Sequence, residues 1–136
     1  MKNFEYYRSL PEGMTAEAVE RELEEFLLMQ ADMGVIQFME ALDELADRQW
    51  HTYSLLSESL RFRLEKLIIS RWQDQSELTG YSLSIISRLG LVKAWDFLVT
   101  LDRQVISVAS REAIEDAEVE MSLTISDPYS GMVKKI

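Results

Sequence analysis

Residues 54–73, SLLSESLRFRLEKLIISRWQ, form the longest continuous helical pattern in the chain and decide its fold class. Leu56, Leu60, Leu64, Leu67 and Ile68 recur at steps of four, four, three and one, drawing one apolar stripe along a helix of 3.6 residues per turn. Such a stripe must face a core, so this segment is expected to be central. Glu58, Arg61 and Glu65 fall on the other side at three- and four-residue spacing, where opposite charges are neighbours and each pair contributes about 0.3 kcal/mol. That side is expected to face water or a partner.

Upstream, Thr15 is suited to cap a helix running to about Gln30, with Val19, Leu23, Phe26 and Leu27 inward. Gly34 interrupts the pattern, and Val35, Phe38, Met39, Leu42, Leu45 and Ala46 then mark a second helix to about Gln49. The short connection predicts antiparallel neighbours. Downstream, residues 76–80 read as a loop and residues 82–89 as a short helix stopped by Gly90. Leu91, Ala94, Trp95, Leu98, Leu101 and Val105 give the next helical face, and Ser110 is suited to cap a last helix from Arg111 to about Met121. Residues 1–14, with Phe4, Tyr6 and Tyr7, read as a short strand or an extended arm; residues 122–136 read as a short strand or a loosely held tail. The expected fold is all-α, a single domain over residues 1–136 of about six antiparallel helices, arranged as a bundle or as HEAT-like hairpins.

Composition bounds the function. With 136 residues and 47% hydrophobic side chains the chain suits one core. It has no cysteine, so disulfides and thiolate metal sites are excluded. The N-terminus lacks the apolar run of a secretory signal and no stretch of about 18 apolar residues is present, so a soluble, cytoplasmic protein is expected. The net charge is −10, and its distribution is uneven: residues 1–47 carry 3 basic and 12 acidic groups, residues 48–103 carry 8 and 6, and residues 104–136 carry 3 and 6. An acidic exterior repels phosphates, so direct nucleic-acid binding is not expected.

Catalytic patterns are lacking. His51 is the sole histidine; it could join Glu44 and Asp47, but the paired Glu-x-x-His of di-iron bundles is missing, so neither metal nor cofactor is expected. There is no Gly-x-Ser-x-Gly, and the glycines at 13, 34, 80, 90 and 131 are too scattered for a phosphate loop. The chain is therefore not expected to be an enzyme. Arg61, Arg63, Lys66 and Arg71 make a basic cluster ending at Trp72; these cations are expected to neutralise the acidic helices around them, with Trp72 in the core. Two acidic surfaces are left. Glu40, Asp43, Glu44 and Asp47 recur at i, i+3, i+4 and i+7, and Glu112, Glu115, Asp116, Glu118 and Glu120 crowd the last helix. Rigidly presented carboxylates suit docking on a basic partner, where complementary charge speeds association and selects against wrong partners.

In size, acidity, lack of cysteine and lack of a catalytic motif, over its whole length, the chain resembles bacterial toxin-immunity proteins of contact-dependent growth inhibition or colicin-type systems. The likeness is of overall character; no family motif is matched. It implies a non-enzymatic inhibitor bound one-to-one to a cognate basic toxin domain of nuclease type, with carboxylates taking the places of substrate phosphates. The alternative is a homodimeric acidic adaptor or secretion chaperone.

Overall fold

Short polar side chains start the first helices. Asn3 accepts from the Tyr6 amide ahead of α1 (Phe4–Arg8), and Thr15 accepts from the Ala18 amide ahead of α2 (Ala16–Met29). A 3-10 turn, Gln30–Asp32, leads to α3 (Val35–Trp50). Ser57 accepts from the Leu60 amide ahead of α4 (Glu58–Arg71), and α5 (Ser76–Leu89), α6 (Val92–Val99) and α7 (Val108–Met121) complete the order. The computed structural model describes residues 2–121 and Ile125; within them the protein is all-α, with seven helices and no strand. No helix among these residues is long and apolar enough to cross a membrane.

The centre of the fold lies one helix on either side of the expected one. α3 and α5 make the most extensive contact; α1 and α2 pack on α3, α7 packs on α5, and α4 leans chiefly on α6. α3, the longest helix, buries Phe38, Met39, Ala41, Leu42, Leu45 and Ala46, together with Arg48 and Gln49. The apolar positions of α4 that are fully buried are Leu60, Leu64 and Ile68, so its stripe is too narrow to be shared between layers. Nor does α4 reach back to Ser54. The Gln49 side chain donates to the Ser54 carbonyl at 2.7 Å and Tyr53 takes a left-handed backbone (φ 58°), which together turn the chain before Ser57 can restart a helix.

Further boundaries differ from expectation. The N-terminal aromatic segment is the helix α1, not a strand or extended arm: buried Tyr7 meets Phe26 edge-to-face at 5.6 Å, and Phe26 stacks on Phe38 at 5.4 Å. Burial pushes the Tyr7 phenol up to about 12. Residues 76–80 are helical despite Gly80, since Leu78 and Thr79 are buried and the Thr79 hydroxyl accepts from Trp72 Nε1 at 3.1 Å and bonds Ser110 Oγ at 3.0 Å. Gly90 ends α5 in the left-handed region (φ 70°), as expected. α6 stops at Val99, short of Val105, and α7 opens three residues before Arg111, with Ser107 rather than Ser110 accepting the cap bond. The expected strand or tail at 122–136 lies outside the described residues, except Ile125, which is buried in the same core cluster as Tyr7.

Candidate functional site

The carboxylates of α3 do line one face, but the protein largely neutralises them itself. Arg48, on the same helix and only 7% exposed, donates from Nη1 to Glu44 at 2.8 Å and to Asp47 at 3.1 Å, while its Nε and Nη2 reach the carbonyls of Leu10 and Arg8. Arg88 of α5 approaches Asp43 at 3.6 Å and Asp47 at 3.9 Å, and Ser84 donates to Asp43 at 2.9 Å. Glu40, half-buried, has no cation of the described residues within 4 Å. Tyr81 sits in this field: burial first, then the charges of Glu40, Glu77, Asp43 and Glu44, raise its phenol. The α3 stripe is thus a half-covered internal ion network rather than an open acidic face.

On α7 the pairing is thinner. Its inner side is Ser110, Ile114 and Ala117, all buried against the core. On its outer side Glu112, Glu115, Asp116 and Glu120 are exposed and Glu118 is half-exposed. Arg103, in the loop after α6, reaches Glu118 at 3.0 Å and Glu115 at 3.5 Å, pairs so solvated that each contributes well under about 1 kcal/mol. Glu112, Asp116 and Glu120 have no cation of the described residues within 4 Å. Among them Val119 stands 88% exposed. The N-terminus of α7 is clasped by Asp74 of the α4–α5 turn, which accepts from the Ser107 amide at 2.6 Å and the Ser107 hydroxyl at 2.8 Å. Hydrogen bonding from the Ser110 hydroxyl, then from Ser107, holds the Asp74 carboxyl below its ordinary value.

The loop after α3 adds an apolar element beside the acidic helix end. Tyr53 is 67% exposed and Leu55 is also exposed, on a backbone held by Thr52 Oγ1 bonding Gln49 O at 2.7 Å and Ser54 Oγ at 2.9 Å. His51 approaches Asp47 at 3.7 Å, but Glu44 faces Arg48 instead. Among the described residues no group of three histidine, aspartate or glutamate side chains is placed to hold a metal ion.

The basic cluster neutralises the acidic helices less than the sequence suggests: of its four cations only Arg63 meets a carboxylate, Arg71 turns to backbone carbonyls, and Arg61 and Lys66 pair with no acid among the described residues. Arg63 pairs with Glu24, and Arg71 donates to the Met33 and Gln30 carbonyls at 3.2 Å while covering the Phe38 ring at 4.8 Å. Trp72 is half-buried, against Phe97. Glu65, expected on the outer side of α4, is buried at 8% exposure: its Oε2 accepts from the Lys93 amide at 2.6 Å and the Ala94 amide at 3.1 Å, capping α6 from a neighbouring helix. Leu91, at the cap position of α6, provides no side-chain acceptor.

The chain matches no family model, no curated protein and no solved structure. Function is therefore argued from these surfaces.

Proposed function

We propose that the protein acts by binding rather than by catalysis, as an immunity-type inhibitor that docks on a basic partner, a toxin domain of nuclease character, through the outer face of α7. One observation carries this reading: Glu112, Asp116 and Glu120 are exposed, lack an internal cation among the described residues, and surround the 88% exposed Val119. Carboxylates that are not internally neutralised keep their field for a partner, and an aliphatic side chain among them offers area to desolvate. The α3 residues Glu40, Asp43, Glu44 and Asp47 contribute less in this reading, because Arg48 and Arg88 already share their charge. The exposed Tyr53 beside them is suited to a peripheral anchor.

The test uses the protein encoded by the neighbouring reading frame as partner. Reversing Glu112, Asp116 and Glu120 to lysine should leave the helical circular-dichroism spectrum unchanged and weaken the measured affinity at least tenfold, with a flatter salt dependence. Unaltered affinity removes α7 from the interface. Exposed Leu28, Val105 and Val108 favour a second reading, the homodimeric adaptor or chaperone. Mass in solution separates the two: an obligate dimer indifferent to basic partners supports the second.

A further inference from the structure

The protein also presents a surface of opposite sign. Alongside the Glu65 cap, the first half of α4 and the start of α6 enclose a cleft of about 370 Å³. Its apolar part is Phe62, 48% exposed, and Val92. Lys66 Nζ and Lys93 Nζ stand 5.1 Å and 5.3 Å from the centroid of the Phe62 ring, and Arg61 lines the same cleft. Most other cations are met internally: Lys2, Arg8, Arg48, Arg63, Arg88 and Arg103 approach carboxylates and Arg71 meets carbonyls, while Arg21 on α2 and Arg111 on α7 stand singly, each the one cation of its helix. At Arg61, Lys66 and Lys93 no carboxylate of the described residues lies within 4 Å, and Arg61 Nε is shielded from water without a hydrogen-bond partner among them. Glu65 lines the cleft, but its Oε2 is committed to the α6 amides; Glu58 alone adds an uncommitted acid at the rim.

A chain with surplus carboxylate that leaves three cations together, around a half-exposed aromatic ring, has concentrated an unmet demand for an anion. The anion must also have an apolar body, since a hydrated inorganic ion would leave Phe62 and Val92 wet. We propose that this cleft binds a compact organic carboxylate, its apolar body on Phe62 and Val92 and its carboxylate between Arg61 and Lys93. The volume lies at the lower end of small-molecule sites, roughly 300–1,000 Å³. A guanidinium offers the carboxylate two parallel donors, and a lysine on the ring completes the charge. The site is independent of the α7 docking reading.

Full-length protein labelled with ¹⁵N, titrated with 3-phenylpropionate, tests it, with acetyl-Phe-Glu-amide and inorganic phosphate as parallel arms. Saturable amide shifts at Phe62, Lys93 and Ala94 are expected with 3-phenylpropionate or the peptide, at least tenfold tighter than with phosphate. Whichever organic probe binds tighter identifies the source of the carboxylate, a free acid or a partner's side chain. The double variant Arg61→Gln, Lys93→Gln should weaken binding at least tenfold, and Phe62→Ala separately. Neither Arg61 nor Lys93 makes a side-chain hydrogen bond among the described residues, so an unchanged circular-dichroism spectrum is expected for the double variant. Absence of saturation by both organic probes at ten millimolar, phosphate binding as tightly as they do, or saturation unaffected by the double variant overturns the site.

Discussion

Removing the Glu65 carboxylate should cost far more than its sequence position suggests. Glu65→Ala leaves the Lys93 and Ala94 amides without their acceptor, bonds of 2.6 Å and 3.1 Å in the wild type. Each is a charge-assisted bond worth about 1.5–3 kcal/mol, and Ala94 is fully buried, so water can replace the acceptor only at Lys93 through the adjoining cleft. The expected loss is about 3 kcal/mol, a large fraction of the roughly 5–15 kcal/mol that holds a domain folded. Glu65→Gln keeps an oxygen at the cap but gives up the attraction of a full negative charge to the helix N-terminus, and should cost about 1 kcal/mol. Urea unfolding followed by circular dichroism measures both, with the slope m unchanged if the same surface is exposed. A Glu65→Ala variant within about 0.5 kcal/mol of wild type, or a glutamine as harmful as alanine, would refute the capping account.

Gly80 lies mid-helix in α5, and a Cβ built there meets nothing within 4 Å, so Gly80→Ala should stabilise the protein by about 0.5–1 kcal/mol in the same assay. Arg48→Ala should destabilise it by about 3–5 kcal/mol, because it strips the bonds to Glu44, Asp47, Arg8 O and Leu10 O at a nearly buried site. Arg48→Lys, with one ammonium in place of the fork, should recover only part of that in thermal melts. The Asp74 carboxyl is held below its ordinary 3.8, so the folded state binds that proton less tightly than the unfolded chain. Its stabilisation is present in full above the unfolded carboxyl's 3.8 and is lost as the pH falls through the lower folded-state value. Asp74→Asn should therefore lower stability at pH 7, with the deficit shrinking as acid protonates the wild-type carboxyl, as pH-dependent unfolding would report.

Helix positions were legible wherever apolar spacing and a cap agreed. Val35 to Ala46 and Val19 to Phe26 lie where their spacing put them, and Gly90 ends α5 as a left-handed cap should. Expectation and structure part where tertiary contacts override local preference. Residues 76–80 look like a loop because of Gly80 and the polar residues around it, yet the Trp72–Thr79–Ser110 bonds and buried Leu78 hold them helical. Phe4–Arg8 looks extended, but Tyr7 has Phe26 to pack on only when the segment coils. The rank of the helices differs from expectation for a similar reason: an unbroken stripe on residues 54–73 records one buried face, whereas α3 buries a wider set of residues and meets α1, α2 and α5. Charge was hardest to read. A glutamate at an outward position such as 65 cannot reveal from the sequence that another helix will begin against it.

That last point determines which carboxylates remain for a partner. Along the sequence the α3 stripe and the α7 run look equivalent, each four or five acids in about two to three turns. Folding separates them, because Arg48 is drawn inward to the Arg8 and Leu10 carbonyls and so stands over Glu44 and Asp47, while Arg88 arrives on α5 beside Asp43. On α7 the helix's own Arg111 makes no ion pair among the described residues, and Arg103, from a loop, reaches two of the five acids. The same internal pairing leaves Arg61, Lys66 and Lys93 over between α4 and α6. Charge reversal on α7 should accordingly act on the electrostatic attraction of a basic partner, and so on association rate and its salt dependence. Reversal at Glu44 or Asp47 should act on folding stability, because it sets a cation against buried Arg48.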